Sequence, residues 1–181
     1  MNPLDYSSHN WLAQRINNES LRRHLGVLRG RVLDLGCGDA PYETDIVARS
    51  CAYVGVDWPR SLHGRSRVSA FADLGAPLPF RDECADTITA FQVLEHVPEP
   101  DATLAEMARV ARRYLLVSVP REPMWRMLNM ARGAYWGSLG NTPGHVNHWS
   151  RVGFVSLLTR HGKVEEIRSP FPWSMLLVRV D

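Results

Sequence analysis

Apolar residues fall along this chain in short runs whose period changes from element to element. Trp11, Leu12, Ile16, Leu21, Leu25 and Leu28 form a loose stripe that predicts a helix over about 8–29, ended by Gly30. "RVLDL" (31–35) reads as a short buried strand, and "APYETDIVARS" (40–50) as a helix with Pro41 in its first turn, where a missing N–H costs little. "AYVGVD" (52–57) is a second strand, "RVSAFADL" (67–74) contains a third, and "ADTITAFQVLEHV" (85–97) contains a fourth that ends near Phe91. A helix follows over "DATLAEMARVARR" (101–113), with Asp101 as its expected N-cap and arginines late. "YLLVSVP" (114–120) is a fifth strand, and "SRVGFVSLLTRHG" (150–162) a helix between Ser150 as N-cap and Gly162 as stop signal. "KVEEIRS" (163–169) and "SMLLVRV" (174–180) close the chain as two strands.

Strands that alternate with helices at short spacing predict a parallel sheet covered on both faces. The last two strands are joined by "PFPW", which is too short for a crossover, so this pair is expected to be antiparallel. The expectation is a single α/β domain over 1–181, three-layered and Rossmann-like, whose seven-stranded sheet is mostly parallel with the last strand antiparallel. The N-terminal helix would pack over the ligand. One long irregular stretch, about 120–149, stands out as a cap-like insertion, because segments of that length in a compact domain are usually functional.

Composition narrows this picture little. At 181 residues, with 45% hydrophobic and 22% charged residues, the chain has room for one core. A net charge of +2 and the absence of a basic block argue against nucleic acid as a partner. Lys163 is the only lysine, so the positive charge is carried by arginine. No stretch is apolar enough to predict a membrane span, and the first residues lack the pattern of a signal peptide. Cys37, Cys51 and Cys84 are odd in number and lack CxxC spacing, which speaks against a disulfide framework or a zinc site. A reducing, cytoplasmic setting is the expectation.

The chemistry begins at "DLGCGDAPY". Gly36 and Gly38 follow the first strand and precede a helix, where the missing Cβ permits a sharp turn and close approach of a ligand. In an open parallel sheet, ligands bind beyond the carboxyl ends of the strands. Asp57 ends the second strand, where an acid can take two ribose hydroxyls, and Asp73 follows the third, where it can receive an adenine amino group. A dinucleotide turn of the form G-x-G-x-x-G is not met, since the sixth position is Pro41, and no phosphate loop follows. Asp34, just before the turn, would repel a pyrophosphate and suits a positively charged amino or sulfonium group.

These stretches together resemble a known family. "VLDLGCGDAPY" resembles the first motif of the class I S-adenosylmethionine-dependent methyltransferases, "VGVDWP" the second, and "FADLGAPLPFRDECADTITA" the third and the approach to the fourth. "FQVLEHVPEPDATLAEMARVAR" and "GHVNHWS" resemble later segments of small members of the type 11/12-like group. The resemblance runs from Arg31 onward and implies S-adenosylmethionine as cofactor. By it, Gly36, Cys37 and Gly38 lie against the methionine part and Asp34 near its amino group. Asp57 binds the ribose, Trp58 lies on the adenine, Asp73 and Leu74 read the adenine edge, and Phe91 and Gln92 close the site. The departure is Ala40, where the family often has its third glycine.

Methyl transfer from a sulfonium needs the acceptor positioned and, for some acceptors, a proton removed. His145 and His148 in "PGHVNHWS", and His96 in "LEHVPEP", are the candidate bases. No acid-rich cluster accompanies the histidines in sequence, so no metal is expected. Arg121 is placed to hold an anionic group on the substrate, or to pair with Glu122. In the cap-like stretch, Met124, Met127, Leu128 and Ala131 share one helical face, with Arg126, Asn129 and Arg132 on the other, flanked by Trp125, Tyr135 and Trp136. One expectation is a lid that packs its apolar stripe on the domain. The sharper one is a substrate wall of Trp125, Tyr135 and Trp136, resting on an anionic membrane surface and serving a lipid-linked acceptor. The function expected is methyl transfer to a small-molecule or lipid-linked acceptor. A catalytically inactive cofactor-binding partner or sensor, and an NAD-dependent oxidoreductase, stand as alternatives.

Overall fold

The computed structural model describes residue 28 and residues 30–61, 66–169 and 171–180. The helix expected over 8–29, and its packing, lie outside the described residues. The described chain builds one seven-stranded sheet in the order β3-β2-β1-β4-β5-β7-β6. Its strands are β1 (Arg31–Leu35), β2 (Ala52–Asp57), β3 (Ala70–Phe71), β4 (Ala85–Phe91), β5 (Ala111–Pro120), β6 (Lys163–Arg168) and β7 (Trp173–Arg179). Strands β1 to β5 pair in parallel, while β7 runs antiparallel to both β5 and β6. The expected sheet and its antiparallel end are therefore present.

The sequence explains which strands are central. Strand β1 is buried at every position after Arg31, as suits a strand covered on both faces. Strand β6 instead alternates exposed and half-buried residues and lies at the edge. On one face, Leu33, Leu35, Ile88 and Leu115 pack with Leu104 and Met107 of α2 (Pro100–Val110) and Phe154 and Leu158 of α4 (Arg151–Leu158). On the other, Val32, Leu116, Met175 and Leu177 pack with Ile46 of α1 (Glu43–Val47) and with Tyr42. A further helix, α3 (Met124–Ala131), follows β5.

Several boundaries differ from the expected ones, each for a local reason. Helix α1 opens only at Glu43, because Ala40 adopts a left-handed φ of 50° that a helix cannot contain. Helix α2 starts with Pro100 at its first turn, and Glu99 rather than Asp101 is its N-cap residue. The Asp101 carboxylate instead accepts hydrogen bonds from Arg160 and His161, both at 2.8 Å, beyond the end of α4. The chain turns extended at Ala111 and enters β5 without a loop. Ser150 does cap α4, accepting from the Gly153 N–H at 3.2 Å. That helix ends at Leu158, before Gly162.

The chain leaves β1 toward β2 and β3 on one side, then crosses to β4 and β5 on the other. The carboxyl ends of β1 and β4 therefore flank the switch point of the sheet, where open α/β sheets bind ligands.

Candidate functional site

The turn after β1 is locked to its neighbour strand. The N–H groups of Gly36 and Cys37 both donate to the carbonyl of Val56 in β2, at 2.8 and 3.0 Å. Both groups are thus satisfied within the sheet, which fixes the turn against β2. Gly36 (φ 69°) lies directly under Val93, and a Cβ there would run into Val93 Cγ2. This contact seats the loop after β4 on the turn after β1. Cys37 is buried, and desolvation pushes its thiol up to about 12, so it is an inert wall rather than a nucleophile.

The acids fall into different environments. Asp34 is 2% exposed. Its carboxylate accepts from Tyr53 Oη at 2.9 Å and from Thr89 Oγ1 at 2.6 Å, so it ties β1 to β2 and β4. Burial raises its pKa to about 6 against the lowering effect of these two bonds. Asp57 is also buried; its Oδ1 accepts from the N–H of Trp58 at 2.7 Å. Its Oδ2 is buried with no hydrogen-bond partner among the described residues. Trp58 projects beside it, half exposed, with the Arg60 guanidinium 5.9 Å from its ring centre. Asp73 closes a turn by accepting from the Gly75 N–H at 2.9 Å, and the Leu74 carbonyl accepts from Thr103 Oγ1 at 2.9 Å.

At the end of β4, Phe91 meets Tyr42 edge-to-face with centroids 5.3 Å apart. Gln92 adopts a left-handed φ of 59°, a strained conformation of the sort found at ligand sites, and its N–H donates to Ser118 O at 2.9 Å. A single 3₁₀ turn, Leu94–His96, comes next. The loop before α4 is laced onto it. The N–H groups of Val146 and Asn147 donate to Glu95 O at 2.9 and 3.1 Å, and Asn147 Nδ2 donates to Leu94 O and Val97 O at 3.2 and 2.6 Å.

This lacing brings His96 and His145 together and leaves His148 apart. His96 and His145 meet edge-to-face with centroids 4.8 Å apart, and Trp125 stacks on His145 at 6.5 Å and 18°. His148 points elsewhere, with Nε2 2.7 Å from Asn141 Oδ1 and 3.1 Å from Arg126 Nη2. Burial lowers the pKa of His145 to about 4, helped by the neighbouring histidines, and lowers that of His96, so both rings are neutral at pH 7. The third member of the group is Glu95, which composition and spacing did not single out. Ligand atoms of Glu95, His96 and His145 all lie within 4.8 Å of one another. The signal that was present is the adjacent acid and histidine in "LEH".

The cap-like stretch departs from its pattern at Asn129, which turns inward, and at Met127 and Ala131, which face out. In α3, Asn129 is 2% exposed and donates to Gly140 O at 2.8 Å and Thr142 Oγ1 at 3.1 Å. Met127 is 61% exposed and Ala131 is exposed too, while Met124 and Leu128 are half-buried, so only part of the expected apolar stripe is covered. Trp125 is fixed by its Nε1–H, which donates to Thr142 Oγ1 at 2.9 Å. Tyr135 lies against the Arg132 guanidinium at 6.0 Å, while Trp136 stands 65% exposed. The Arg121 Nη2 reaches Met124 Sδ at 3.4 Å, and Glu122 approaches Arg126, not Arg121. Among the described residues no helix is long and apolar enough to cross a membrane.

A family model described as a methyltransferase domain matches residues 11–163. The chain belongs to this family. Its class is that of the S-adenosylmethionine-dependent, class I methyltransferases, whose sheet it shares. Magnesium protoporphyrin IX methyltransferase from Synechocystis PCC 6803, crystallised with bound SAH, aligns with a TM-score of 0.65 at 18% identity, over 99% of this chain and 91% of that one. Ubiquinone biosynthesis O-methyltransferase of Aromatoleum aromaticum is 29% identical over 101 residues, covering 50% of this chain and 43% of the relative. Phosphatidylethanolamine N-methyltransferase of Cereibacter sphaeroides is 32% identical over 111 residues, covering 53% of this chain and 54% of the relative. The methyltransferase chain thus spans about half the length of the curated relatives it matches.

Proposed function

We propose that this protein binds S-adenosylmethionine beyond the carboxyl ends of β1, β2 and β4 and transfers its methyl group to a small-molecule or lipid-linked acceptor. The observation that carries the proposal is Asp57 Oδ2, a buried oxygen with no hydrogen-bond partner among the described residues, at the end of β2. An unsatisfied buried acceptor is costly, and ribose hydroxyls are donors of the right kind to satisfy it. Trp58 offers a flat exposed ring beside it for the adenine. Asp73 has a second carboxylate oxygen beyond its turn bond for the adenine amino group, with Leu74 alongside. Gly36, Cys37 and Gly38 line the methionine part, and Asp34 supplies negative charge near its ammonium. Phe91 and Gln92 close the site toward β4.

The cofactor, when bound, supplies an electrophilic methyl group on a sulfonium. The chain's own contribution is placement of the acceptor. With a pKa near 4, His145 is a weak proton acceptor at neutral pH, and His148 is engaged with Asn141 and Arg126. Positioning rather than a strong base therefore carries the step. Two relatives are named for O-methylation in ubiquinone biosynthesis and for N-methylation of phosphatidylethanolamine, and the exposed Met127, Trp136 and Leu139 suit an amphiphilic acceptor.

A nicotinamide cofactor fits less well, since Pro41 stands where a dinucleotide turn has its third glycine and the buried Asp34 carboxylate precedes the turn. The test is incubation with methyl-labelled S-adenosylmethionine and separate aqueous and lipid metabolite extracts. Label in one new product supports the proposal. Cofactor binding without label transfer to either extract favours the partner or sensor reading.

A further inference from the structure

We propose that Glu95, His96 and His145 form a binding site for a divalent transition-metal ion, with one side open to an oxygen of the acceptor. The first observation is convergence. Two imidazoles and a carboxylate from segments about fifty residues apart bring their ligand atoms within 4.8 Å of one another. The second is that Glu95 does nothing else with its side chain. It is 1% exposed, and neither carboxylate oxygen has a hydrogen-bond partner among the described residues. Buried carboxyl groups are normally hydrogen-bonded, paired or bound to metal, and this one has neither of the first two.

The surroundings hold the two histidines as ligands are held. His96 Nδ1 lies 3.0 Å from the carbonyl oxygen of Gly144. A carbonyl only accepts, so Nδ1 carries the hydrogen and Nε2 keeps its lone pair. Metal-binding histidines are oriented in this way by a backbone carbonyl on the other ring nitrogen. His145 is held by Trp125, which stacks on it and is itself fixed to Thr142. The lacing of Val146 and Asn147 onto Glu95, Leu94 and Val97 brings the two histidines together, and no part of it uses the Glu95 carboxylate.

The donor set selects the metal class. Two imidazoles and one carboxylate suit zinc and its first-row neighbours, not magnesium or calcium, which prefer all-oxygen sites. Bond lengths of about 2.0–2.2 Å require the three ligand atoms to draw closer than they stand, through rotation of the Glu95 and histidine side chains. Three protein ligands leave a fourth position, as in catalytic zinc sites. His96 is exposed, so the cluster is reached from solvent, and it follows Gln92 by four positions at the end of β4. A hydroxyl-bearing acceptor is the class that would use the fourth position. That last step rests on the methyl-transfer reading; the metal site does not.

The test is titration of the chelator-treated full chain with zinc by calorimetry, with cobalt absorption as a second readout. The expected result is one ion per chain in the micromolar range or tighter, weakened at least tenfold in both Glu95→Gln and His96→Ala, and unchanged in His148→Ala. Burial pushes the Glu95 carboxyl up to about 8 in the metal-free chain, so Glu95→Gln keeps the shape of the neutral side chain while removing the carboxylate ligand, and a thermal melt of each variant confirms that it folds. Absence of saturable binding, or binding equally tight in Glu95→Gln and His96→Ala, would overturn the site. A chain that binds zinc but not S-adenosylmethionine refutes the methyl-transfer reading alone, and one that binds S-adenosylmethionine but not zinc refutes the metal site alone.

Discussion

Thr89 donates its hydroxyl to Asp34 Oδ1 across 2.6 Å, binding the centre of β4 to a buried carboxylate of β1 at the switch point of the sheet. With Tyr53 on the other oxygen, Asp34 is a strut, yet it is also an acid whose burial opposes its charge. Its pKa of about 6 in the folded chain lies above the ordinary 3.8. For an acid raised in this way, the stability gained by holding the proton is present below about pH 4 and lost as the pH rises through 6. The difference corresponds to about 3 kcal/mol, to order of magnitude. Asp34→Asn is therefore expected to flatten the fall in Tm between pH 4.5 and pH 7.5, on the order of a few kelvin. It should also weaken S-adenosylmethionine at pH 7.5. A variant whose Tm follows the wild-type pH curve would remove this account of Asp34.

Ala40 stands with φ at 50°, a conformation that costs a residue with a Cβ about 1–2 kcal/mol and glycine almost nothing. Ala40→Gly loses a buried methyl and some unfolded-state restriction, which offsets part of that gain. The net expectation is a stabilisation of about 0.5–1 kcal/mol, readable by urea denaturation as a higher midpoint with unchanged slope. A lower midpoint would show that the methyl contact outweighs the backbone.

Asn129 holds α3 to the chain at Gly140 and Thr142. Asn129→Leu is close in volume but leaves the Gly140 carbonyl unsatisfied, at a cost of about 1–3 kcal/mol. Protease susceptibility within residues 123–141 should rise before global unfolding changes. Equal cleavage rates in variant and wild type would place the restraint elsewhere.

The same segment exposes Met127, Trp136 and Leu139, the last 72% exposed, together with Arg132. Basic residues around exposed apolar side chains favour anionic interfaces. Co-sedimentation with phosphatidylglycerol vesicles is expected, reduced by salt and by the double variant Trp136→Ser, Leu139→Ser, with little binding to phosphatidylcholine alone. Wild-type protein that stays in the supernatant with both lipids would exclude this surface as a membrane contact.

The sheet and its antiparallel end were legible because strands such as "RVLDL" and "YLLVSVP" are apolar on both faces and the "PFPW" link is short. The glycine turn was legible because Gly36 must pass under Val93. The orientation of α3 was not, since a stripe of Met124, Met127 and Ala131 says nothing about a buried amide that pairs with Gly140, eleven positions on. Neither was the fate of the histidines. His145 and His148 look like a pair in sequence, but the loop is not helical, and long-range bonds from Val146 and Asn147 to Glu95 turn His145 toward His96 instead. Glu95 was hidden for the same reason, because its significance depends on a partner about fifty residues away.

The proposed pocket at the ends of β1 and β2 would hold S-adenosylmethionine with Asp57 on its ribose. Calorimetric titration with S-adenosylmethionine, its demethylated product and NAD, on wild type and on Asp57→Ala, tests it most directly. The account predicts saturable 1:1 binding of the first two, no binding of NAD, and at least a tenfold loss in Asp57→Ala with the fold intact. Binding of NAD alone, or unchanged affinity for S-adenosylmethionine in Asp57→Ala, would contradict it.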